Sequence, residues 1–145
     1  MRRASAAEIR PLRHSVLRAG QPAEDSIYPI DDAAVHVGAW DEGALVGCAT
    51  VFPEPYAGPP EVPGAWRLRG MAVAPDRQGS GLGRIVLAAA LAAAREAGAS
   101  LVWANARSPA VGFYVKEGWQ TVGPEFVTPD TGLPHRRILR DVTNG

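Results

Sequence analysis

Apolar positions come in short blocks separated by glycine, proline and charged residues, and the blocks are too brief for long helices except in one place. Glu8 to Leu12 reads as a first strand, confined to an edge or an end by Pro11. Leu12 to Ala19 reads as a short helix closed by Gly20. Gln21 to Ala33 is polar, carries two prolines and reads as irregular. Val35 to Trp40 and Ala44 to Phe52 read as paired strands around the hairpin signal Asp41-Glu42-Gly43. Pro53 to Pro63, with five prolines, reads as an exposed loop before strand character resumes from Trp66 to Val73.

Leu82 to Ala97 is the strongest helix in the chain, rich in Ala and Leu and stopped by Gly98. Leu101 to Ala106 is a short apolar strand of the kind buried inside a sheet. Ser108-Pro109 predicts a helix start, hydroxyl cap then proline, with Gly118 at the far end. Trp119 to Val122, Phe126 to Thr128 and Arg137 to Val142 read as late strands, with a turn from Pro129 to Pro134. This order of elements predicts an α/β (α+β by some schemes) fold: a mixed sheet of about six or seven strands flanked by helices. The strand–helix–strand unit from Arg67 to Ala106 is expected to be a right-handed parallel crossover.

The chain of 145 residues fits one domain, residues 1–145, large enough to bury a core without disulfides or metals. Its formal net charge is zero, which gives no general attraction to nucleic acid or anionic lipid. Cys48 is the single cysteine, so neither an internal disulfide nor a cysteine metal cluster is available, and the three scattered histidines show no metal spacing. The N-terminus has no apolar run of the secretory kind, and the longest apolar run, Ile85 to Ala94, is too short to span a membrane. A cytoplasmic protein is expected.

The chemistry concentrates in Arg77-Gln78-Gly79-Ser80-Gly81-Leu82-Gly83, between a strand and the best helix. Glycines at alternate positions let backbone N–H groups turn inward unobstructed, and the helix that follows adds unpaired N–H groups and a positive dipole end. Together they suit a pyrophosphate, with Arg77 and Arg84 adding charge. A Walker loop is excluded because Gly83 is followed by Arg84 and Ile85. A dinucleotide fingerprint fails at Arg84 and at Val86, where it needs glycine. The pattern Gln/Arg-x-x-Gly-x-Gly is matched in full by Gln78 to Gly83.

That stretch, with Arg69 to Val73 before it, resembles the signature of the GNAT superfamily of acetyl-CoA-dependent N-acetyltransferases. The resemblance extends through Trp119 and covers about a third of the chain with specific motifs. It implies a centrally splayed sheet, and makes the backbone of Gln78, Gly79, Ser80, Gly81, Leu82 and Gly83, with Arg84, the pyrophosphate cradle. Arg69-Gly70-Met71-Ala72-Val73 resembles the bulged strand, with Gly70 at the bulge; Met71, Ala72 and Val73 would then meet the pantetheine arm. Asn105 aligns with a position used for a cofactor contact, and a loop-starting asparagine is an equal reading. Ala110 to Trp119 resembles the superfamily's Phe-Tyr-x-x-x-Gly-Phe ending, which makes Tyr114 the general acid and leaves Phe113 to the core.

What the resemblance implies is transfer of an acetyl group from acetyl-CoA to a primary amine of a small-molecule acceptor; a non-catalytic acyl-CoA sensor is the alternative. No membrane or nucleic-acid partner is implied; a homodimer joined through late strands is. Attack by an amine also needs a base. The glutamate that some members place on the bulged strand is missing, because Arg67 and Arg69 occupy it. A water chain, or His36, Glu54, Glu125 or His135, would have to serve. Arg67 and Arg69, with Arg13 and His14, raise the further expectation that, if alternation directs a strand arginine into the acceptor cleft, the acceptor carries a carboxylate or phosphate.

Overall fold

The computed structural model describes residues 1–56, 63–129 and 131–143. Seven strands form one sheet: β1 (Arg2–Ala4), β2 (Val35–Asp41), β3 (Ala44–Pro53), β4 (Ala65–Val73), β5 (Leu101–Arg107), β6 (Gln120–Val127) and β7 (Pro134–Asp141), in the order β1-β2-β3-β4-β5-β7-β6. Three helices accompany them: α1 (Ala6–Leu17), α2 (Leu82–Glu96) and α3 (Val111–Lys116). By contacts the chain divides into two compact units, Met1–Phe52 with Leu68–Ala97, and Pro53–Arg67 with Gly98–Gly145. Strand β4 passes from the second unit into the first between Arg67 and Leu68.

In the first unit the start of the chain departs from expectation. Glu8 to Leu12 is not a strand but lies inside α1. Ser5 caps that helix: its side chain accepts from Glu8 N–H at 3.1 Å, and the Glu8 carboxylate accepts from Ser5 N–H at 2.9 Å. This reciprocal box satisfies two orphan donors and starts a helix that carries Pro11 at its sixth position, where the missing N–H leaves the Ala7 carbonyl without its backbone donor. The helix ends at Leu17, short of Ala19. The strand at this end is Arg2–Ala4, paired antiparallel with β2. Gln21 to Ala33 holds only two short 3-10 turns, as its composition predicts.

The β2–β3 hairpin closes through Glu42 and Gly43, both at positive φ (50° and 81°), between the paired residues Asp41 and Ala44. That tight reversal suits the right-handed twist of the two strands. Helix α2 buries Val86, Leu87, Ala90, Ala93 and Ala94, a stripe at helical spacing. It packs so closely on β3 that a Cβ at Gly47 would fall 2.8 Å from a Val86 methyl. Helix α1 takes the other face of β3, where Ile9 clusters with Cys48 and Ala72. Full burial of Val86 and Leu87 is worth about 1.5–3 kcal/mol each.

In the second unit β4 pairs parallel with β5 over Ala65, Trp66 and Arg67 only, against Leu101, Val102 and Trp103; beyond Arg67 no β4–β5 pair forms among the described residues. Strand β5 pairs with β7 along its full length. The two late strands expected at Trp119–Val122 and Phe126–Thr128 are one strand, β6, whose register with β7 shifts between Val122 and Phe126. Gly123, at φ 76°, and Pro124 sit in that irregularity, which explains why the sequence reads as two pieces. Ser108 does not cap α3. It begins a 3-10 turn with Pro109, its hydroxyl donates to Glu125 at 2.7 Å, and α3 starts at Val111. The loop read at Pro53–Pro63 falls largely, and the turn at Pro129–Pro134 in part, outside the described residues. Among the described residues no helix is long and apolar enough to cross a membrane.

Candidate active site

The first unit carries the end of β4, the glycine turn and the start of α2. Gly70 adopts φ 64° inside β4, the left-handed conformation of a bulge. Buried positions along the strand fall at Ala65, Leu68 and Ala72 instead of alternating. After Val73 the chain passes through a 3-10 turn, Pro75–Arg77, and reaches Gly79 (φ 83°) and Gly81 (φ 88°). A Cβ added at either would meet nothing within 4 Å, so open space stands over both glycines. Gly81 is the N-cap of α2 and offers no side chain to its amides. The helix's first backbone bond runs from Ile85 N–H to the Gly81 carbonyl at 3.4 Å, so the N–H groups of Leu82 and Gly83 precede it and have no carbonyl one turn back.

Side chains brace this turn. Gln78 donates from Nε2 to the Val73 carbonyl at 3.1 Å, tying the loop to the strand. The Ser80 hydroxyl donates to the Arg77 carbonyl. Arg77 is ion-paired with Asp41, which raises its pKa, so its charge is largely answered within the protein. Arg84 lies exposed in the first turn of α2.

Behind the bulge lies a buried polar cluster that sequence reading did not find. Arg13 is fully buried and donates to the Ser26 carbonyl (2.8 Å), to both Asp31 oxygens (2.9 and 3.1 Å) and to Thr50 Oγ1 (2.8 Å). Burial pushes the Asp31 carboxyl up, but bonds from Arg13, the Tyr28 N–H and Arg10 outweigh it and hold the pKa below the usual value. His36 uses both ring nitrogens, on Thr50 at 2.8 Å and on the Asp31 carbonyl at 2.9 Å. The guanidiniums of Arg13 and Arg69 both lie over the Tyr28 ring, 3.9 and 4.0 Å from its centroid. A Cβ at Gly70 would fall 2.9 Å from Arg13 Nε.

The second unit carries the remaining candidates. Tyr114, on α3, is buried and edge-packed on Phe113 and Trp119, with ring centroids 5.1 and 5.4 Å away. Burial pushes its phenol up to about 12. Asn105 accepts from Arg137 Nε at 3.3 Å. Arg67 pairs with Glu54 at 3.0 Å and lies 4.8 Å from the Trp103 ring centre, so the two strand arginines have separate surroundings. Arg137 lies over Tyr56, Trp103 and Phe126, at 5.7, 5.3 and 6.0 Å. Neither Arg137 nor this aromatic surround stands out in the sequence, because the four residues come from four separate segments.

Residues 6–119 match the family described as "Acetyltransferase (GNAT) family". The chain belongs to the GNAT acetyltransferase family. It is similar to YitI of Bacillus subtilis, an uncharacterised N-acetyltransferase, at 33% identity over 123 residues, covering 83% of this chain and 82% of that protein. Among solved structures it is similar in fold to an IAA acetyltransferase from Bacillus cereus (TM-score 0.75, 17% identity, 97% of each chain covered). It is also similar in fold to an aminoglycoside 6'-N-acetyltransferase complexed with coenzyme A (TM-score 0.76, 14% identity, covering 98% of this chain and 97% of that one). As a GNAT family member the chain is an acyltransferase, and its seven-stranded mixed sheet is the GNAT fold.

Proposed function

We propose that this acyltransferase moves an acetyl group from acetyl-CoA to a primary amine of a small-molecule acceptor. The observation that carries the reading is the pair of left-handed glycines under open space, Gly79 and Gly81, leading into the uncapped start of α2. Backbone amides from Gln78 to Arg84 would hold the pyrophosphate, where the dipole of α2 favours negative charge. The backbones of Met71, Ala72 and Val73, beyond the Gly70 bulge, would bond the pantetheine amides, and the Val73 N–H would steady the carbonyl oxygen as charge develops on it. Asn105 is assigned a further cofactor contact, and Tyr114 the proton that the departing thiolate takes up. A phenol raised by burial stays protonated at neutral pH, as that role requires. The aminoglycoside 6'-N-acetyltransferase of the same fold, complexed with coenzyme A, supports a CoA-borne acyl group. A reaction in the cytoplasm fits the single free cysteine.

Calorimetric titration with CoA and acetyl-CoA, followed by a thiol-release assay over an amine panel, tests the reading. Saturable binding with amine-dependent release of CoA is expected. Binding without turnover across a broad panel would favour an acyl-CoA sensor. Absence of binding to folded protein would remove the cradle assignment.

A further inference from the structure

Strand β4 carries two arginines ahead of the backbone assigned to the pantetheine arm, and the fold gives them different company. Arg67 is ion-paired with Glu54 at 3.0 Å, so a carboxylate of the protein already answers it. Arg69 belongs to the first unit, together with the Gly70 bulge, Met71 to Val73 and the glycine turn. Its guanidinium lies 4.0 Å from the centre of the Tyr28 ring, and that of Arg13 lies 3.9 Å from the same centre. Strict alternation would turn Arg69 away from the face that Ala72 occupies. Instead both turn to the α1 side: Ala72 packs with Ile9 of α1, and Arg69 shares the Tyr28 ring with Arg13 of α1. The bulge at Gly70 resets the parity between them.

These surroundings prepare Arg69 for an anion. Tyr28 is only 6% exposed, so its ring is a fixed plate. A guanidinium laid on an aromatic face keeps its N–H donors at its edge. That fork has five donors, and a carboxylate takes two of them. Arg69, Gly70, Met71 and Val73 are all half-buried, so solvent reaches this run of β4. The Tyr28 hydroxyl stands 3.4 Å from the point where a Gly70 Cβ would lie, and adds a neutral donor beside the bulge. Asp31, the carboxylate of the buried cluster, is committed to Arg10, Arg13 and the Tyr28 N–H. Two guanidiniums against one carboxylate leave those contacts with a net positive charge, and Arg13 Nε is buried without an acceptor. A negative group brought to the bulge is therefore favoured there.

We infer that the acceptor carries a carboxylate as well as its amine, and that Arg69, braced on Tyr28, holds that carboxylate while the amine faces the acyl group. This rests on the acyltransferase reading above and names its substrate class, a small amino acid. Arg69 precedes Met71 by two residues and Val73 by four. At strand rise that is roughly 7–13 Å, a span that an arginine stem and a small amino acid bridge together.

The probe is a set of matched amines: amino acids, each beside its carboxamide and its decarboxylated amine, with polyamines and aminoglycosides included. The expected kcat/KM for the amino acid exceeds that for its carboxamide by about 10–100-fold, the worth of a charge-assisted hydrogen bond. Arg69→Gln should raise the KM for the amino acid by about the same factor, leave its kcat and the KM for acetyl-CoA unchanged, and abolish the preference over the carboxamide. Arg69→Lys, which keeps the charge without the fork, should recover part of the loss. In wild-type protein loaded with CoA, the Arg69 Nε–H resonance should shift on adding the amino acid and stay in place on adding the carboxamide. A brace without substrate contact would instead lower the Tm of Arg69→Gln and keep the preference. That outcome, or carboxamides and decarboxylated amines acetylated as well as the amino acids, would overturn the proposal while leaving acyl transfer intact. Wild-type protein that binds CoA yet acetylates nothing in the set would sink acyl transfer and the acceptor assignment together.

Discussion

Replacing Gly70 by alanine tests whether the bulge in β4 is held by the cluster behind it. Two costs add. The backbone at φ 64° disfavours any Cβ, by about 1–2 kcal/mol. The new methyl would also fall 2.9 Å from Arg13 Nε and 3.3 Å from the Tyr28 ring. The Arg13 guanidinium cannot retreat easily, since four hydrogen bonds and full burial hold it, and overpacking of that kind costs about 1–3 kcal/mol. Together Gly70→Ala should lose about 2–5 kcal/mol in urea unfolding, and should weaken CoA binding because Met71 to Val73 follow directly. Gly81→Ala is the control: its φ of 88° carries the same backbone penalty, but its Cβ meets nothing. Gly70→Asn tolerates left-handed backbone better and still collides. A loss for Gly70→Ala no larger than for Gly81→Ala, or full recovery in Gly70→Asn, would refute the claim that Arg13 and Tyr28 press on the bulge.

Other outcomes follow from the same geometry. Gly81→Ala should weaken CoA by about 5–30-fold in calorimetry, the affinity equivalent of about 1–2 kcal/mol of backbone strain in the cradle. Tyr114→Phe should lower kcat by about 10²–10⁴-fold with little change in acetyl-CoA KM, checked by steady-state kinetics. Its pKa near 12 lies above that of a free phenol at about 10, so the wild type should also lose stability between those pH values in a way Tyr114→Phe does not. Asp31→Asn, which leaves Arg13 buried without a counter-charge, should cost about 3–5 kcal/mol at neutral pH. Because the folded Asp31 pKa is depressed, its contribution is present above the ordinary aspartate value near 4 and fades as pH falls below it. The gap between wild type and Asp31→Asn in unfolding scans should therefore narrow on acidification.

What was legible in the chain was local. Glu42-Gly43, Gly98 after α2, and Gln78 to Gly83 before it each announce a backbone conformation through residue type alone, and each is found where expected. At Glu8–Leu12, read as an edge strand, the capping box of Ser5 and Glu8 decides for helix, and that signal is local to the sequence. The hydroxyl of Ser108 is drawn from the expected cap by Glu125, a partner distant in sequence. The same limit hid the cluster of Arg13, Asp31, Thr50 and His36, whose members come from α1, a 3-10 turn, β3 and β2. Arginines on β4 could be named as candidates, but only the fold gives Arg67 to Glu54 and Arg69 to Tyr28.

Cys48 is fully enclosed between α1 and β4, its thiol pushed up to about 11 by burial and turned toward the Gly70 carbonyl. Disulfide reagents that colour on meeting a thiolate should therefore pass the native protein by, so a colorimetric readout of liberated CoA carries no background from the enzyme itself. The same reagents become a stopwatch for opening of the core, since labelling of that one sulfur reports each excursion that parts the helix from the sheet.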